Sequence, residues 1–295
     1  MWKASFNAGT LAQITGAQDH KVIDRAKIQR LLRNSQGLKA LHRRHLPPEP
    51  VNHKDLANHP LGTLFEQAEK DHLRGHEQMK TWTEIQCTDS RAKGQQILDC
   101  KWVYIYKYDK HGRLAKCKAR LVVRGDQQLK TATGNTYAAT LAIRSFRTLI
   151  AIAARFDLEL LQYDAVNAFV NADLDENVFM RLPPGHRKFG KILILNKALF
   201  GLRKSPILWQ KLFTRALQDI GFKPIPHETC CLTYDGITIF FYVDDIVLAF
   251  RQDQKAKALG LIDQLQRRFK LSGGEELQWF LGIEVSGIAG KGSSG

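Results

Sequence analysis

From Ser205 to Gly221 apolar residues return every three or four positions. Leu208, Trp209, Leu212, Phe213, Ala216, Leu217 and Ile220 thereby share one face of a predicted helix. Ser205 suits the N-cap, Pro206 the first helical position and Gly221 the stop. A second stripe, Phe146, Leu149, Ile150, Ala153 and Phe156, predicts a helix that leads into the strand LELLQYDAV, with Asp164 at its end. Ala258, Leu261, Ile262, Leu265 and Phe269 predict a third helix from about Asp253 to Phe269, and Leu61 to His76 a fourth.

Elsewhere the period is two. KWVYIYKYDKHGRLAKCKARLVVRGD forms two alternating runs around Asp109, Lys110, His111 and Gly112, which predicts a β-hairpin. In its second strand Lys116, Lys118 and Arg120 share one face, with Ala115, Cys117, Ala119 and Leu121 on the other. Such a row of cations suits a phosphate-contacting flap, and equally an exposed face kept soluble by charge. VFMRLP, KILIL, CLTY, ITIFFYV, IVLAF and LQWFLGIEV are further strands, with Asp235-Gly236 as a hairpin turn. Helices and strands mix without regular βαβ alternation, so the expected class is α+β rather than a doubly wound sheet. Before Leu38 no period stands out, and Pro47, Pro48 and Pro50 mark a linker. Residues 1–60 are accordingly expected to be a basic, polar segment, extended or loosely packed.

Charge changes this picture more than size does. At 295 residues the chain can form one large domain or two lobes, but its net charge of +15 favours a polyanionic partner. Nucleic acid is the commonest such partner, and a solvated basic surface is the alternative. No apolar run reaches a membrane span, and no secretory signal follows Met1, so an intracellular place is expected, cytoplasmic or nuclear. Asp19 and Asp24 interrupt what would otherwise read as an organellar leader. The five cysteines are odd in number and lack CxxC spacing, which predicts free thiols. His42/His45 and His72/His76 have helical spacing without accompanying acids or cysteines, so they are expected on solvated faces rather than on a metal.

One stretch resists these rules. IFFYVDDIVLAF sets Asp244 and Asp245 between apolar strands, where an ionised carboxylate is costly and two oppose each other's ionisation. A divalent cation resolves the conflict, because Mg2+ takes carboxylate oxygens and substrate phosphates. Asp164, at the end of its own strand, is the best third ligand. Three carboxylates holding two metals suit in-line displacement at phosphorus, with a 3′-hydroxyl attacking and pyrophosphate leaving.

FYVDD together with QYDAVNAF, KALFGLRKSP, FLGIEV and KWVYIYKYDKHGRLAKCKARLVVRGDQQ resembles the reverse transcriptase of copia-type LTR retrotransposons, particularly fungal ones, from about Leu46 to Val285. The resemblance implies a right-hand polymerase, with fingers and palm together over 61–285, the fingers hairpin at about 100–125 and the palm at about 143–285. The activity implied is RNA-directed DNA synthesis from deoxynucleoside triphosphates on an RNA or DNA primer-template, with Mg2+ or Mn2+. Asp164, Asp244 and Asp245 would be the catalytic, metal-binding set, with Asp164 and Asp244 the direct ligands. Lys118, Arg120 and the backbone at Ala165 and Val166 would hold the triphosphate. Phe169 would gate the sugar, although without the motif it would be ordinary core. Phe200 and Gly201 would lie near the nucleotide, and Trp279, Phe280, Leu281 and Gly282 would form the primer grip.

Family members continue into a thumb, connection and RNase H, with integrase upstream. None is visible here, so a polyprotein fragment with a truncated or absent thumb and a Gly/Ser-rich tail at 286–295 is expected. A catalytically silent nucleic-acid-binding remnant is the alternative.

Overall fold

The computed structural model describes residues 41–129 and 143–285, with Arg30, Gly37 and Ala138 besides. The tail at 286–295 and most of the segment before 41 lie outside the described residues. In chain order the regular elements begin with α1 (Gly62–Gln78), β1 (Trp82–Gln86), β2 (Ile97–Leu98), β3 (Cys100–Tyr108) and β4 (Leu114–Val123). They continue with α2 (Ile143–Arg155), β5 (Glu159–Ala165), β6 (Asp173–Arg181), β7 (Lys191–Lys197) and α3 (Ser205–Asp219). The rest are β8 (Lys223–Ile225), β9 (Glu228–Tyr234), β10 (Ile237–Tyr242), β11 (Asp245–Phe250), α4 (Lys255–Gln266), β12 (Leu271–Glu276), β13 (Trp279–Phe280) and β14 (Ile283–Glu284). The class is α+β, as expected. Among the described residues no helix is long and apolar enough to cross a membrane.

The chain divides into two compact units. The first takes the chain up to Arg74, Lys101–Leu121 and Pro183–Gly185, and the second takes Gly75–Cys100, Val122–Leu182 and the chain from His186 on. In the first, β3 and β4 pair as the expected hairpin. Its turn is held by Asp109, whose carboxylate accepts from the backbone N–H groups of His111 (2.9 Å) and Arg113 (2.8 Å). Trp102, Tyr104 and Tyr106 point inward, and Phe65 of α1 meets both tyrosine rings edge-on or tilted. The segment expected to be a loose linker is packed where it is described. Leu41 and Leu56 are buried, and Asn52 and Asp55 form a reciprocal capping box on the 3-10 turn His53–Asn58.

Of the helix-spaced histidines, His45 is exposed as expected and His42 is half-buried, but His72 and His76 are not on a solvated face. His72 Nε2 accepts from the Leu121 backbone N–H at 3.0 Å. His76 is buried against the Trp82 ring, its Nδ1 lies 3.0 Å from Thr81 Oγ1, and burial pushes its pKa down to about 4. Helical spacing gives the side of the helix and not what covers it.

The second unit is built on a six-stranded sheet in the order β12-β5-β11-β10-β9-β8, antiparallel throughout. A four-stranded sheet, β1-β7-β6-β2, carries the unit's one parallel pair among the described residues, β2 with β6. The larger core lies under the six-stranded sheet, where Phe146, Trp209, Phe213, Phe240, Phe250 and Leu265 are buried. β11 is enclosed along its whole apolar run, from Ile246 to Phe250, as a central strand should be.

Two helix ends differ from expectation. Ser205 is the first residue of α3 rather than its cap, and its buried hydroxyl donates to the Leu199 carbonyl at 2.6 Å. Phe156 lies just beyond α2 and is 64% exposed instead of completing the buried stripe. The five cysteines are free thiols, as their spacing predicted.

Candidate active site

The two aspartate segments meet in the middle of the six-stranded sheet. Antiparallel pairing of β11 with β5 sets Asp245 directly opposite Asp164, so both side chains share one face. The Ala165 N–H donates to the Asp244 carbonyl at 2.8 Å, which ties the turn to the strand end carrying Asp164. Asp164 is exposed, whereas Asp244 and Asp245 are half-buried.

The turn itself is one residue off the simplest reading of the sequence. Tyr242 pairs with Asp245, which leaves Val243-Asp244, not Asp244-Asp245, as the two-residue loop. Val243 occupies the left-handed region at φ +56°, a conformation β-branched residues rarely adopt. Asn167, three residues beyond Asp164, is also left-handed at φ +54° and opens the 3-10 turn Ala168–Asn171. No propensity rule flags Val243, whereas an asparagine in a turn could have signalled the second.

A strand absent from the sequence reading completes the surroundings. β12 contains Gly273 and Gly274, both at positive φ, and a register shift between Gly273 and Glu275. These features hide its period, yet it pairs with β5 and sets Ser272 opposite Asp164 on the side away from Asp245.

Burial raises the pKa of the Asp245 carboxyl from its ordinary value, and the negative charges of Asp244 and Asp164 add to the effect. The Gln162 amide, 3.4 Å from Asp245 Oδ1, works weakly against it. Among the described residues no group of three or more His, Cys, Asp or Glu is arranged to hold a metal by itself. The expected three-carboxylate cage is thus not closed by protein side chains. Clustered carboxylates still match a hard cation, and Mg2+ commonly takes one or two of them with substrate phosphates supplying the rest.

The raised Asp245 pKa has a consequence for stability. A carboxylate raised in the fold favours its neutral form there, so above its unfolded pKa ionisation works against folding. Asp245→Asn is therefore expected to melt higher than wild type near neutral pH. The difference should vanish on acidification through the carboxylate range, and added Mg2+ should narrow it. Thermal melts from pH 3 to 8, with and without Mg2+, check this; a variant melting lower at pH 7 would refute it.

The other predicted residues fall as follows. The N–H groups of Ala165 and Val166 donate to the carbonyls of Asp244 and Lys270 (2.8 and 2.9 Å), so both already serve the protein's own backbone pairing. The Phe169 ring is 7% exposed and packs on Phe200, with centroids 4.6 Å apart, so it serves the core whatever else it does. Gly201, at φ +97°, sits where a Cβ would fall 2.0 Å from the Val123 carbonyl oxygen. Lys118 and Arg120 stand half-buried on β4, on the face opposite buried Ala119 and Leu121, in the first unit. Trp279 is 55% exposed while Phe280 is buried against Phe146 and Phe240. Leu281 and Gly282, both at positive φ, turn the short β13-β14 hairpin.

The family model "Reverse transcriptase (RNA-dependent DNA polymerase)" matches residues 79–293. The retrovirus-related Pol polyprotein from transposon TNT 1-94 of Nicotiana tabacum is 28% identical over 80% of this chain and 18% of its own length. That from transposon RE1 of Arabidopsis thaliana is 30% identical over 65% of this chain and 14% of its own. The transposon Ty1-GR1 Gag-Pol polyprotein of Saccharomyces cerevisiae is 26% identical over 72% and 12%. The chain thus spans less than a fifth of the length of these curated relatives. Among solved structures, prototype foamy virus protease-reverse transcriptase is similar at a TM-score of 0.41 and 14% identity, over 77% of this chain and 24% of that one. With a family model matched from the end of α1 past β14, and Pol polyproteins of copia-type transposons as its relatives, the chain belongs to the reverse transcriptase family.

Proposed function

We propose that this chain carries the polymerase centre of a copia-type element. It would transfer a deoxynucleoside monophosphate from a dNTP to a primer 3′-hydroxyl under the direction of an RNA template. The observation that carries the reading is the pairing of Asp245 with Asp164 beside Asp244, in a strained turn at the end of buried strands. Asp164 and Asp244 would hold Mg2+ or Mn2+, with Asp245 beside them. The ion would neutralise the carboxylates and the triphosphate and make the primer hydroxyl more acidic. The protein's own part is positional. Sheet pairing fixes the carboxylates relative to each other, and Phe169 with Phe200 makes an apolar wall next to the 3-10 turn after β5. Lys118 and Arg120 would contact the triphosphate. The β13-β14 hairpin, with Trp279 exposed, would meet the primer.

Primer extension on an RNA template, with Mg2+ or Mn2+ and labelled dNTP, tests the reading. A second reading rests on the net charge of +15: a binder of nucleic acid without catalysis. Salt-sensitive, metal-independent binding without extension would favour it. If extension is seen, Phe169→Val should raise incorporation of ribonucleotides relative to deoxyribonucleotides by about tenfold, since a smaller side chain opens room for a 2′-hydroxyl. Unchanged discrimination between the two would place Phe169 in the core alone.

A further inference from the structure

We propose that Trp209 is a positioning residue for the aspartate turn, its indole N–H holding Val243 in the left-handed conformation that presents Asp244. This rests on the polymerase reading above. The geometry is specific. Val243 is the first of two loop residues and has φ +56°, whereas Asp244 is not among the residues of positive φ. That pattern matches a hairpin turn whose first loop position is normally glycine, because a Cβ there crowds the backbone. A valine adds the stiffness of a branched side chain. Left to itself such a turn would relax, carrying the Asp244 side chain with it.

Two hydrogen bonds oppose relaxation, and they come from different elements. The Trp209 indole N–H donates to the Val243 carbonyl at 2.7 Å, and the Ala165 N–H donates to the next carbonyl, Asp244, at 2.8 Å. The first donor cannot swing away. Trp209 is 1% exposed, stacked on Phe213 with centroids 5.1 Å apart, and met edge-on by Phe269 at 5.3 Å. The start of α3 is itself anchored by the Ser205 hydroxyl on the Leu199 carbonyl. An indole has one donor and no acceptor, so this N–H has a single use, and it is spent on the strained residue. The conformation persists because its surroundings over-determine it.

The test compares the bond's value in two backgrounds. Trp209→Phe removes the donor, and benzothienylalanine at position 209 removes it while keeping the shape of the ring. Either change should lower kcat for primer extension by about tenfold, the order expected for losing one hydrogen bond to a strained group, with the KM for dNTP within about twofold. Val243→Gly accepts positive φ without help, so in that background the loss should shrink to less than about twofold. Hydrogen exchange of the peptide 239–250, followed by mass spectrometry, is a readout that needs no activity. It should quicken in Trp209→Phe and return towards its starting value in Trp209→Phe/Val243→Gly. Equal kcat losses in both backgrounds, or unchanged exchange in the single variants, would overturn the proposal. If even the wild-type chain extends no primer, the polymerase reading fails and the exchange result alone decides whether Trp209 holds the turn.

Discussion

Asp164→Asn is expected to abolish template-directed primer extension, with a loss of about a thousandfold or more in kcat, while leaving the melting temperature within a degree or two of wild type. The two halves of this prediction come from one observation. Asp164 stands at the end of β5 opposite Asp245, and its side chain is exposed. An exposed carboxylate replaced by an amide of the same shape removes little packing, so stability should hardly change. Chemistry should change greatly, because the amide carries no charge to attract a cation or offset the acidity of a hydroxyl. Asp244→Asn should behave alike in extension. Binding of a primer-template, measured by fluorescence anisotropy without metal, should survive both substitutions, since it draws on the +15 net charge rather than on these two side chains. Extension by Asp164→Asn at the wild-type rate would remove this residue from the centre.

How far the site could be read in advance depended on the kind of signal each residue leaves. That Asp164 meets the Asp244-Asp245 pair was legible because charge beside apolar strands violates an ordinary preference, and such violations draw the eye to a shared location. The β9-β10 hairpin was legible for a local reason: Asp235 (φ +46°) and Gly236 (φ +79°) sit in the turn that Asp-Gly favours. β12 was not legible, because Gly273 and Gly274 with a register shift erase the alternation on which strand assignment relies. Nor was the engagement of the Ala165 and Val166 amides, which is decided by Asp244 and Lys270, both distant in sequence. Trp209 shows a third case. Its helix and buried face follow from the spacing of apolar residues, but its N–H partner is a backbone carbonyl of a turn in another segment, and no sequence pattern encodes that pairing. His76 fails for a similar reason, since what covers it is Trp82 from the next strand.

Gly201→Ala is the second large effect expected, and it separates two reasons for a glycine. At φ +97° an alanine is strained whatever space surrounds it, and here there is none. Its Cβ would lie 2.0 Å from the Val123 carbonyl oxygen and 2.8 Å from Val122 Cγ1. Those atoms are not loose ends. The Val123 N–H donates to the Phe200 carbonyl at 2.8 Å, so the alanine must break the contact that docks the 200–203 turn on the end of β4. Its neighbour Gly125 is equally committed, since a Cβ there would meet the Gly201 oxygen at 1.9 Å, and no shift of one chain past the other relieves both. Backbone strain and a lost hydrogen bond together should cost about 4 kcal/mol, or roughly 10 °C in the melting temperature of a unit this size. Gly260→Ala supplies the contrast. That glycine lies within α4 with nothing near its missing Cβ, so the same chemical change should raise stability by about 1 kcal/mol. Differential scanning calorimetry of the two variants should therefore show shifts of opposite sign. A Gly201→Ala protein melting within about 2 °C of wild type would mean that the close approach of the 200–203 turn to β4 is absent in solution. Phe200, which rides on that turn and packs against Phe169, would then lose its role in shaping the apolar wall.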